Sequence, residues 1–127
     1  MEFSKPKKIF IVDDDPALSD ALYNYLTRNV RHQVYTYYTS EECLRNIDDE
    51  TDVVIIDYEL NAAQKDIATG LELLHTIKKV YPRIHIIILS SQERYSVALE
   101  TINQGAEQYL MKDEDAFEKI SDIIKEL

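Results

Sequence analysis

Three short apolar runs in this 127-residue chain end abruptly in acidic or hydroxyl side chains. Ile9 to Val12 precedes Asp13 and Asp14, Val53 to Ile56 precedes Asp57, and Ile86 to Leu89 precedes Ser90. Such apolar runs are typical of buried strands in a parallel sheet, whose carboxyl edge is where open α/β folds place their chemistry. If the three strands are neighbours, these acids and this hydroxyl converge on one spot.

Carboxylates that converge at a sheet edge repel one another, so they must bind protons, pair with a base or share a cation. Mg²⁺ suits such a site because it binds carboxylates, waters and phosphate oxygens, whereas Zn²⁺ favours histidine and cysteine ligands. His32, His75 and His85 show no metal-ligand spacing, and we interpret them as structural or surface residues.

A strand-end aspartate beside Mg²⁺ can attack a phosphoryl donor and form an acyl phosphate, and Asp57 is the candidate nucleophile. The transferred group then needs donors for its oxygens. The hydroxyl of Ser90 and the ammonium of Lys112 are candidates, because each lies at the carboxyl end of a predicted strand. Lys112 is also the one basic residue in the last predicted strand-to-helix turn, so it supplies local positive charge.

The remaining pattern predicts the scaffold that positions these groups. Strands are predicted at Lys8 to Val12, His32 to Tyr38, Asp52 to Asp57, Ile84 to Leu89 and Gln108 to Met111. Helices are predicted from Pro16 after an Asp15 cap, from a Ser40 cap to Ile47, from Gly70 to Pro82, from Glu93 to Asn103, and from Phe117 to Leu127. Five strands alternating with five helices favour a doubly wound parallel sheet with helices on both faces, in one domain over residues 1–127.

Composition narrows the class of function. Fourteen basic and twenty-four acidic residues give a net charge of −10, which argues against direct binding to nucleic acid or to anionic membrane surfaces. No apolar run is long enough to span a bilayer, and the start of the chain does not resemble a signal peptide. Cys43 has no second cysteine to pair with, so we expect a cytoplasmic protein.

The order of these motifs resembles the receiver domains of two-component response regulators, the CheY-like family. The matching segments are Lys8 to Pro16, Asp57, Ile88 to Ser91 and Gly105 to Lys112, which together span nearly the whole chain. The resemblance implies a flavodoxin-like (βα)5 fold with strand order 2-1-3-4-5.

The resemblance also implies that Asp57 receives a phosphoryl group from a histidine kinase or phosphotransfer protein, with Mg²⁺ required. Asp14 would bind the metal directly, Asp13 mainly through water, and Glu59 through its backbone carbonyl. The chain would not be an enzyme in the ordinary sense, since it would catalyse only its own phosphorylation and dephosphorylation.

Three further roles follow from the same resemblance. Lys112 would hold a phosphoryl oxygen, Ser90 would bond the phosphoryl group and swing inward, and Tyr109 would follow from an exposed to a buried rotamer. This switch would alter the face formed by helix 4, strand 5 and helix 5. It would act on an unknown output partner or domain and allows a phosphorylation-dependent homodimer, whether the domain stands alone or belongs to a longer regulator.

The sequence departs from the family pattern at several places. Asn61 stands where proline is usual, and the loop from Asn61 to Thr69 is longer than usual, which could change kinase access or phosphate lifetime. Asp113 follows Lys112 where proline in a cis peptide is common, so either peptide geometry is open. Ser91 stands where a small residue is usual.

Two other functions compete with a phosphorylated receiver. A phosphatase or mutase of the haloacid dehalogenase type would use Asp13 as nucleophile and Asp15 as acid, but position 17 is alanine rather than the threonine or valine of that motif. A phosphorylation-independent docking module would keep the fold and use its last helices as a binding face.

Overall fold

The computed structural model describes residues 5–28, 30–60, 69–91 and 93–127. In these ranges five strands alternate with five helices, which confirms the predicted doubly wound α/β fold. The elements are β1 (Lys8–Val12), α1 (Pro16–Leu26), β2 (Gln33–Tyr37), α2 (Ser40–Asn46), β3 (Val53–Asp57), α3 (Gly70–Val80), β4 (His85–Ser90), α4 (Tyr95–Asn103), β5 (Gln108–Met111) and α5 (Ala116–Lys125). Residues 61–68, most of the loop predicted to be unusually long, lie outside the described residues.

The strands form one parallel sheet in the order β2-β1-β3-β4-β5. This is the order that the family resemblance implied. The chain reverses its direction of winding between β1 and β3, and ligands of open α/β sheets bind beside such a switch point. The carboxyl ends of β1, β3 and β4 therefore lie side by side at the expected place for chemistry.

Alternation along the strands divides the apolar residues between the two faces of the sheet. On β1, Ile9 and Ile11 join the buried cluster that includes Leu22 of α1 and Ile120 of α5. Phe10 and Val12 face the opposite way and join a second cluster, which includes the apolar sides of α2 and α3. Because β1, β3 and β4 are covered on both faces, their side chains are almost fully buried, and this burial holds the sheet edge in place.

Side-chain caps define where three of the described helices begin, including α3, where Thr69 accepts the N–H of Glu72. Asp15 accepts hydrogen bonds from the backbone N–H groups of Ala17 and Leu18, as predicted for the start of α1. In α2 the predicted cap was wrong by one residue. Thr39 accepts the N–H of Glu42, while Ser40 is the first helical residue and is buried. Both residues are competent caps by type, and the extended backbone of Thr39 decides between them.

Helix α4 differs most from its predicted form. It begins at Tyr95 rather than Glu93, and the one residue it buries is Thr101. Its apolar side chains are largely in solvent, with Tyr95 80%, Leu99 45% and Ile102 43% exposed. Within the described residues α4 is thus the helix least anchored to the core. No described helix has the length and apolar character needed to cross a membrane.

Candidate functional site

The register of the sheet brings the predicted site residues to one edge. Asp57 pairs with Leu89, and Ser90 pairs with Met111, so the polar groups stand level at the ends of their strands. Lys112 follows directly, and its backbone N–H donates to the carbonyl of Ser90. These contacts come from parallel pairing, which extends each strand to the same level.

Lys112 is the cation that joins the two buried acids. Its Nζ lies 2.9 Å from Oδ1 of Asp57 and 3.5 Å from Oδ2 of Asp13. Both aspartates are nearly inaccessible, at 2% exposure for Asp13 and 3% for Asp57. The predicted convergence of these three residues is therefore present, and the acids share one positive charge.

One cation does not fully compensate for burying two carboxylates. Burial raises the pKa of Asp13 to about 6, the charges of Asp57 and Asp14 add to the rise, and the N–H of Asp15 and the charge of Lys112 oppose it. Burial also raises the pKa of Asp57, against the lowering effect of its bond to Lys112 and of the N–H of Glu59. The edge therefore carries an excess of negative charge in a region of restricted hydration.

Lys112 itself stays protonated. Burial would lower the pKa of its ammonium, but the hydrogen bond to Asp57 and the charges of Asp13 and Asp57 outweigh that effect and raise it. Since a lysine ammonium is a compact cation with three donors, Lys112 can turn toward whichever oxygen carries most charge.

The acids fit a divalent cation. Asp13, Asp14 and Asp57 each offer a carboxylate oxygen, and these oxygens lie within 4.8 Å of one another. Oδ2 of Asp13 is buried and has no hydrogen-bond partner among the described residues. A buried carboxylate oxygen without a donor is costly, and a hard cation with oxygen ligands would satisfy it. The donor set is all oxygen, which suits Mg²⁺ rather than Zn²⁺.

The side chain of Glu59 does something that the sequence did not predict. Oε2 accepts the hydroxyl of Ser90 at 2.8 Å, and Oε1 accepts the N–H and the hydroxyl of Ser91 at 2.7 and 2.6 Å. Burial works against ionisation of Glu59, but these hydrogen bonds hold the pKa of its carboxyl below the usual range. The one available signal was an acid two residues after Asp57 and a pair of hydroxyls ending the next strand.

Tyr109 is half-buried and its ring contacts Tyr58 edge to face, with centroids 6.3 Å apart. It therefore occupies neither of the extremes, exposed or buried, that its predicted switching role requires. At the turn after β5 the described residues contain no cis peptide bond, so the Lys112–Asp113 bond is trans.

Gly70, the first residue of α3, packs against the backbone at the end of β3. A Cβ atom at this position would lie 2.3 Å from the carbonyl oxygen of Asp57 and 2.9 Å from Cα of Tyr58. No side chain fits such a distance, so the glycine allows the helix start to touch the backbone of Asp57. The close approach fixes the height at which the Asp57 carboxylate emerges.

Comparison with known proteins gives a consistent answer. The family model described as the response regulator receiver domain matches residues 9–125. The chain is 32% identical over 114 residues to the DNA-binding transcriptional regulator NtrC of Azospirillum brasilense, and 33% identical over 108 residues to the regulatory protein VanR of Enterococcus faecium. These alignments cover 89% and 83% of this chain, but 22% of NtrC and 43% of VanR. The chain thus spans less than half of either relative.

Among solved structures, the BeF3-activated receiver domain of DrrB, from Thermotoga maritima, superposes with a TM-score of 0.81 at 26% identity. The match covers 95% of this chain and 96% of that one. Phosphorylation of an aspartate is typical of this family, whose members interact with histidine kinases or phosphotransfer proteins. From its sequence match, its strand order and the acids and lysine at its sheet edge, this chain belongs to the receiver domains of two-component response regulators.

Proposed function

We propose that Asp57 is the phosphoacceptor of this receiver domain and that its phosphorylation depends on Mg²⁺. The observation that carries the proposal is the position of the Asp57 carboxylate, which lies at the end of a buried strand and 2.9 Å from the ammonium of Lys112. A nucleophile held beside a fixed cation is preorganised for attack, because the lysine meets negative charge as it develops.

In the proposed step, a carboxylate oxygen of Asp57 attacks the phosphorus of a phosphohistidine on a kinase or phosphotransfer protein. An O–P bond forms and the P–N bond breaks, with its electron pair passing to the imidazole nitrogen, which is left neutral or takes up a proton from solvent. The product is an acyl phosphate on Asp57. Lys112 lies close enough to follow the charge from the carboxylate onto a phosphoryl oxygen.

Asp13, Asp14 and Asp57 would hold the Mg²⁺ ion, together with the backbone carbonyl of Glu59 as the resemblance implies. When bound, the ion neutralises charge on the phosphoryl oxygens. Oδ2 of Asp13, which has no hydrogen-bond partner among the described residues and lies 3.5 Å from the Lys112 ammonium, and the raised pKa of the Asp13 carboxyl support this part of the proposal.

We assign the switch to Ser90 and Tyr109, and its output to the face formed by α4, β5 and α5. Ser90 ends β4 beside the acceptor, and exposed apolar residues of α4 leave that helix free to engage a partner or a second copy of the chain. We also propose a cytoplasmic location, which the buried and unpaired Cys43 suits.

No observation favours the haloacid dehalogenase alternative. Its acid would be Asp15, but the Oδ1 atom of Asp15 accepts the N–H groups that begin α1. The residue is engaged as a helix cap, and Asp57 lies closer to the Lys112 ammonium than Asp13 does, at 2.9 Å against 3.5 Å.

The proposal is tested by incubating the protein with acetyl phosphate and Mg²⁺ and counting phosphoryl groups by intact mass. We expect one hydroxylamine-labile group on the wild type, none after Asp57→Asn, and none when the metal is removed with EDTA. Asp49→Asn is the matched control, because it removes the same charge from an exposed residue near the amino end of β3, away from the site.

Undiminished uptake in Asp57→Asn would overturn the assignment of the acceptor. Uptake lost after Asp13→Asn but kept after Asp57→Asn would favour the phosphatase-type nucleophile. If the folded wild type takes up no phosphate from acetyl phosphate or from a phosphorylated phosphotransfer protein, the docking module is the better description.

A further inference from the structure

The carboxylate of Glu59 accepts hydrogen bonds from two serines at the sheet edge. Among the described residues it receives three hydrogen bonds, which come from the residue that ends β4, Ser90, and the next one, Ser91. Glu59 is itself anchored two residues after the acceptor, and its backbone N–H donates to Oδ1 of Asp57 at 3.0 Å. Asp57 and the serines are therefore linked through a single residue, whose backbone N–H bonds Asp57 and whose carboxylate bonds the serines.

These bonds compete with a phosphoryl group. A serine hydroxyl carries one proton, so while Ser90 donates to Glu59 it cannot donate to an oxygen on Asp57. In this state the hydrogen bond of Ser90 Oγ is made to Oε2 of Glu59. Ser90 must therefore break its bond to Glu59 before it can donate to a phosphoryl oxygen on Asp57.

Phosphorylation also supplies the means to break it. An acyl phosphate replaces one carboxylate charge by a group of nearly two negative charges with three acceptor oxygens. The new charge lies two residues from Glu59, where like charges repel, and it offers Ser90 a stronger acceptor. The phosphoryl charge thus repels the Glu59 carboxylate and, at the same time, competes for the Ser90 hydroxyl that donates to it.

We infer that Glu59 is a latch, which holds Ser90 and Ser91 in the unphosphorylated arrangement and opens when Asp57 is phosphorylated. The inference rests on the proposed function and adds to it the residue that keeps the switch in its resting position. The latch makes phosphorylation less favourable, because the three hydrogen bonds must be given up. In return the resting state is well defined.

The latch also connects the acceptor to the output face. Ser91 is followed within four residues by Tyr95, the first residue of α4. Because α4 buries only Thr101, little else in the described residues restrains its amino end. Release of Ser91 frees the start of this loop and lets α4 shift against β5.

The resting bond is tested by NMR on the backbone amide of Ser91. An N–H that donates to a carboxylate resonates downfield, so Glu59→Gln, which lacks the charge, is expected to move this signal upfield in metal-free protein. Loading the wild type with beryllofluoride and Mg²⁺, a mimic of the phosphoryl group, is expected to move it as well. The Glu50→Gln variant removes an exposed charge near the amino end of β3 and is the matched control.

The competition is tested by the beryllofluoride concentration that half-saturates each variant. Both Glu59→Gln and Glu59→Asp should bind the mimic more tightly than wild type, by about tenfold if one charged hydrogen bond is the net cost of opening. Aspartate keeps the charge but is one methylene shorter, so it cannot span to both serines. Glu50→Gln should match the wild type.

Three results would overturn the latch. The first is a Ser91 amide signal that does not move when beryllofluoride and Mg²⁺ are bound. The second is equal affinity of the wild type and both Glu59 variants for beryllofluoride. The third is tighter binding by Glu59→Gln but not by Glu59→Asp, which would indicate a charge effect without a latch. Failure of the proposed function looks different. No variant, nor the wild type, would then bind the mimic, and the latch would fall with it.

Discussion

At the scale of single residues, Lys112 has the largest share in holding the site together. Two carboxylates that are almost inaccessible to solvent both approach its ammonium. Removing one partner of a buried ion pair leaves the other charge desolvated and unpaired, which costs more than the pair itself contributes. The stability of the sheet edge should therefore depend on this one side chain.

We predict that Lys112→Met lowers the free energy of unfolding by about 1–3 kcal/mol at pH 7.5, since Asp57 loses its charged donor. Urea denaturation in metal-free buffer measures the change. Lys119→Met is the control. The side chain of Lys119 is 53% exposed and its ion pair with Asp113 is long, at 4.0 Å, so its loss should cost less than ~0.5 kcal/mol. Equal stability of the two variants would contradict a structural role for Lys112.

At the scale of elements, the strands and the helix that starts behind Asp57 determine the position of this proposed acceptor at the sheet edge. Pairing of β3 with β1 and β4 on both sides fixes the strand, and α3 begins in contact with its last carbonyl. Helix α4, in contrast, is exposed along its apolar side. The site thus joins a rigid strand that carries the proposed acceptor to a weakly held helix of the proposed output face, an arrangement in which local charge can shift an equilibrium.

We predict that Gly70→Ala destabilises the domain by about 1–3 kcal/mol, because the added Cβ overlaps the carbonyl of Asp57 and neither backbone can yield without a shift. It should also slow phosphate uptake from acetyl phosphate, since the acceptor moves. Thr76→Ala, an exposed change on the same helix, controls for helix propensity and should leave both measurements near wild type. Uptake and stability at wild-type levels would show that the contact is not a constraint.

At the scale of the whole molecule, the metal-free site lowers the free energy of unfolding near neutral pH. Burial raises the pKa of Asp13 from 3.8 to about 6, so the folded state keeps a proton that the unfolded chain has lost. Where the native state binds more protons, stability falls as pH rises. Glu59 has the opposite sign, and the stability from its lowered pKa is lost only as pH falls below about 4.5. The effect of Asp13 should therefore appear between pH 4.5 and 6.

We predict that the Asp13 carboxyl makes metal-free wild type less stable at pH 7.5 than at pH 5 by about 1.4 kcal/mol, which is the part of its proton linkage that falls between these two pH values. Asp13→Asn removes the charge and should be more stable than wild type at pH 7.5 but not at pH 5. Urea midpoints at the two pH values measure this, with Asp49→Asn as control. A gain from Asp13→Asn that is the same at both pH values would contradict the linkage.

Magnesium should reverse this cost in the same experiment. At pH 7.5 the ion is expected to raise the urea midpoint of wild type, because it binds the folded state alone. The rise should be much smaller in Asp13→Asn and small for wild type at pH 5, where the Asp13 carboxyl is largely protonated. An equal rise in wild type and Asp13→Asn would show that Asp13 is not part of the metal site.

The sequence alone determined the elements of the fold and the residues that meet at its carboxyl edge. Apolar runs of four residues identify buried strands because only a strand covered on both faces is apolar at every position. Parallel strands end at one edge, so the acids after β1 and β3, the serine after β4 and the lysine after β5 had to lie along that edge. Their adjacency follows from the strand order that the family resemblance implied. Periodicity likewise identified the helices that cover the sheet.

What the sequence could not determine is how side chains choose among partners, because that choice depends on distances across strands. Thr39 and Ser40 are equally good caps by type, and the backbone selects Thr39. The sequence predicted a helix from Glu93 to Asn103 but not how closely it packs, and in the structure Tyr95 lies in solvent. The bonds from Glu59 to two serines 31 and 32 residues away appear only once β3 and β4 are paired, and pairing is a property of the folded sheet.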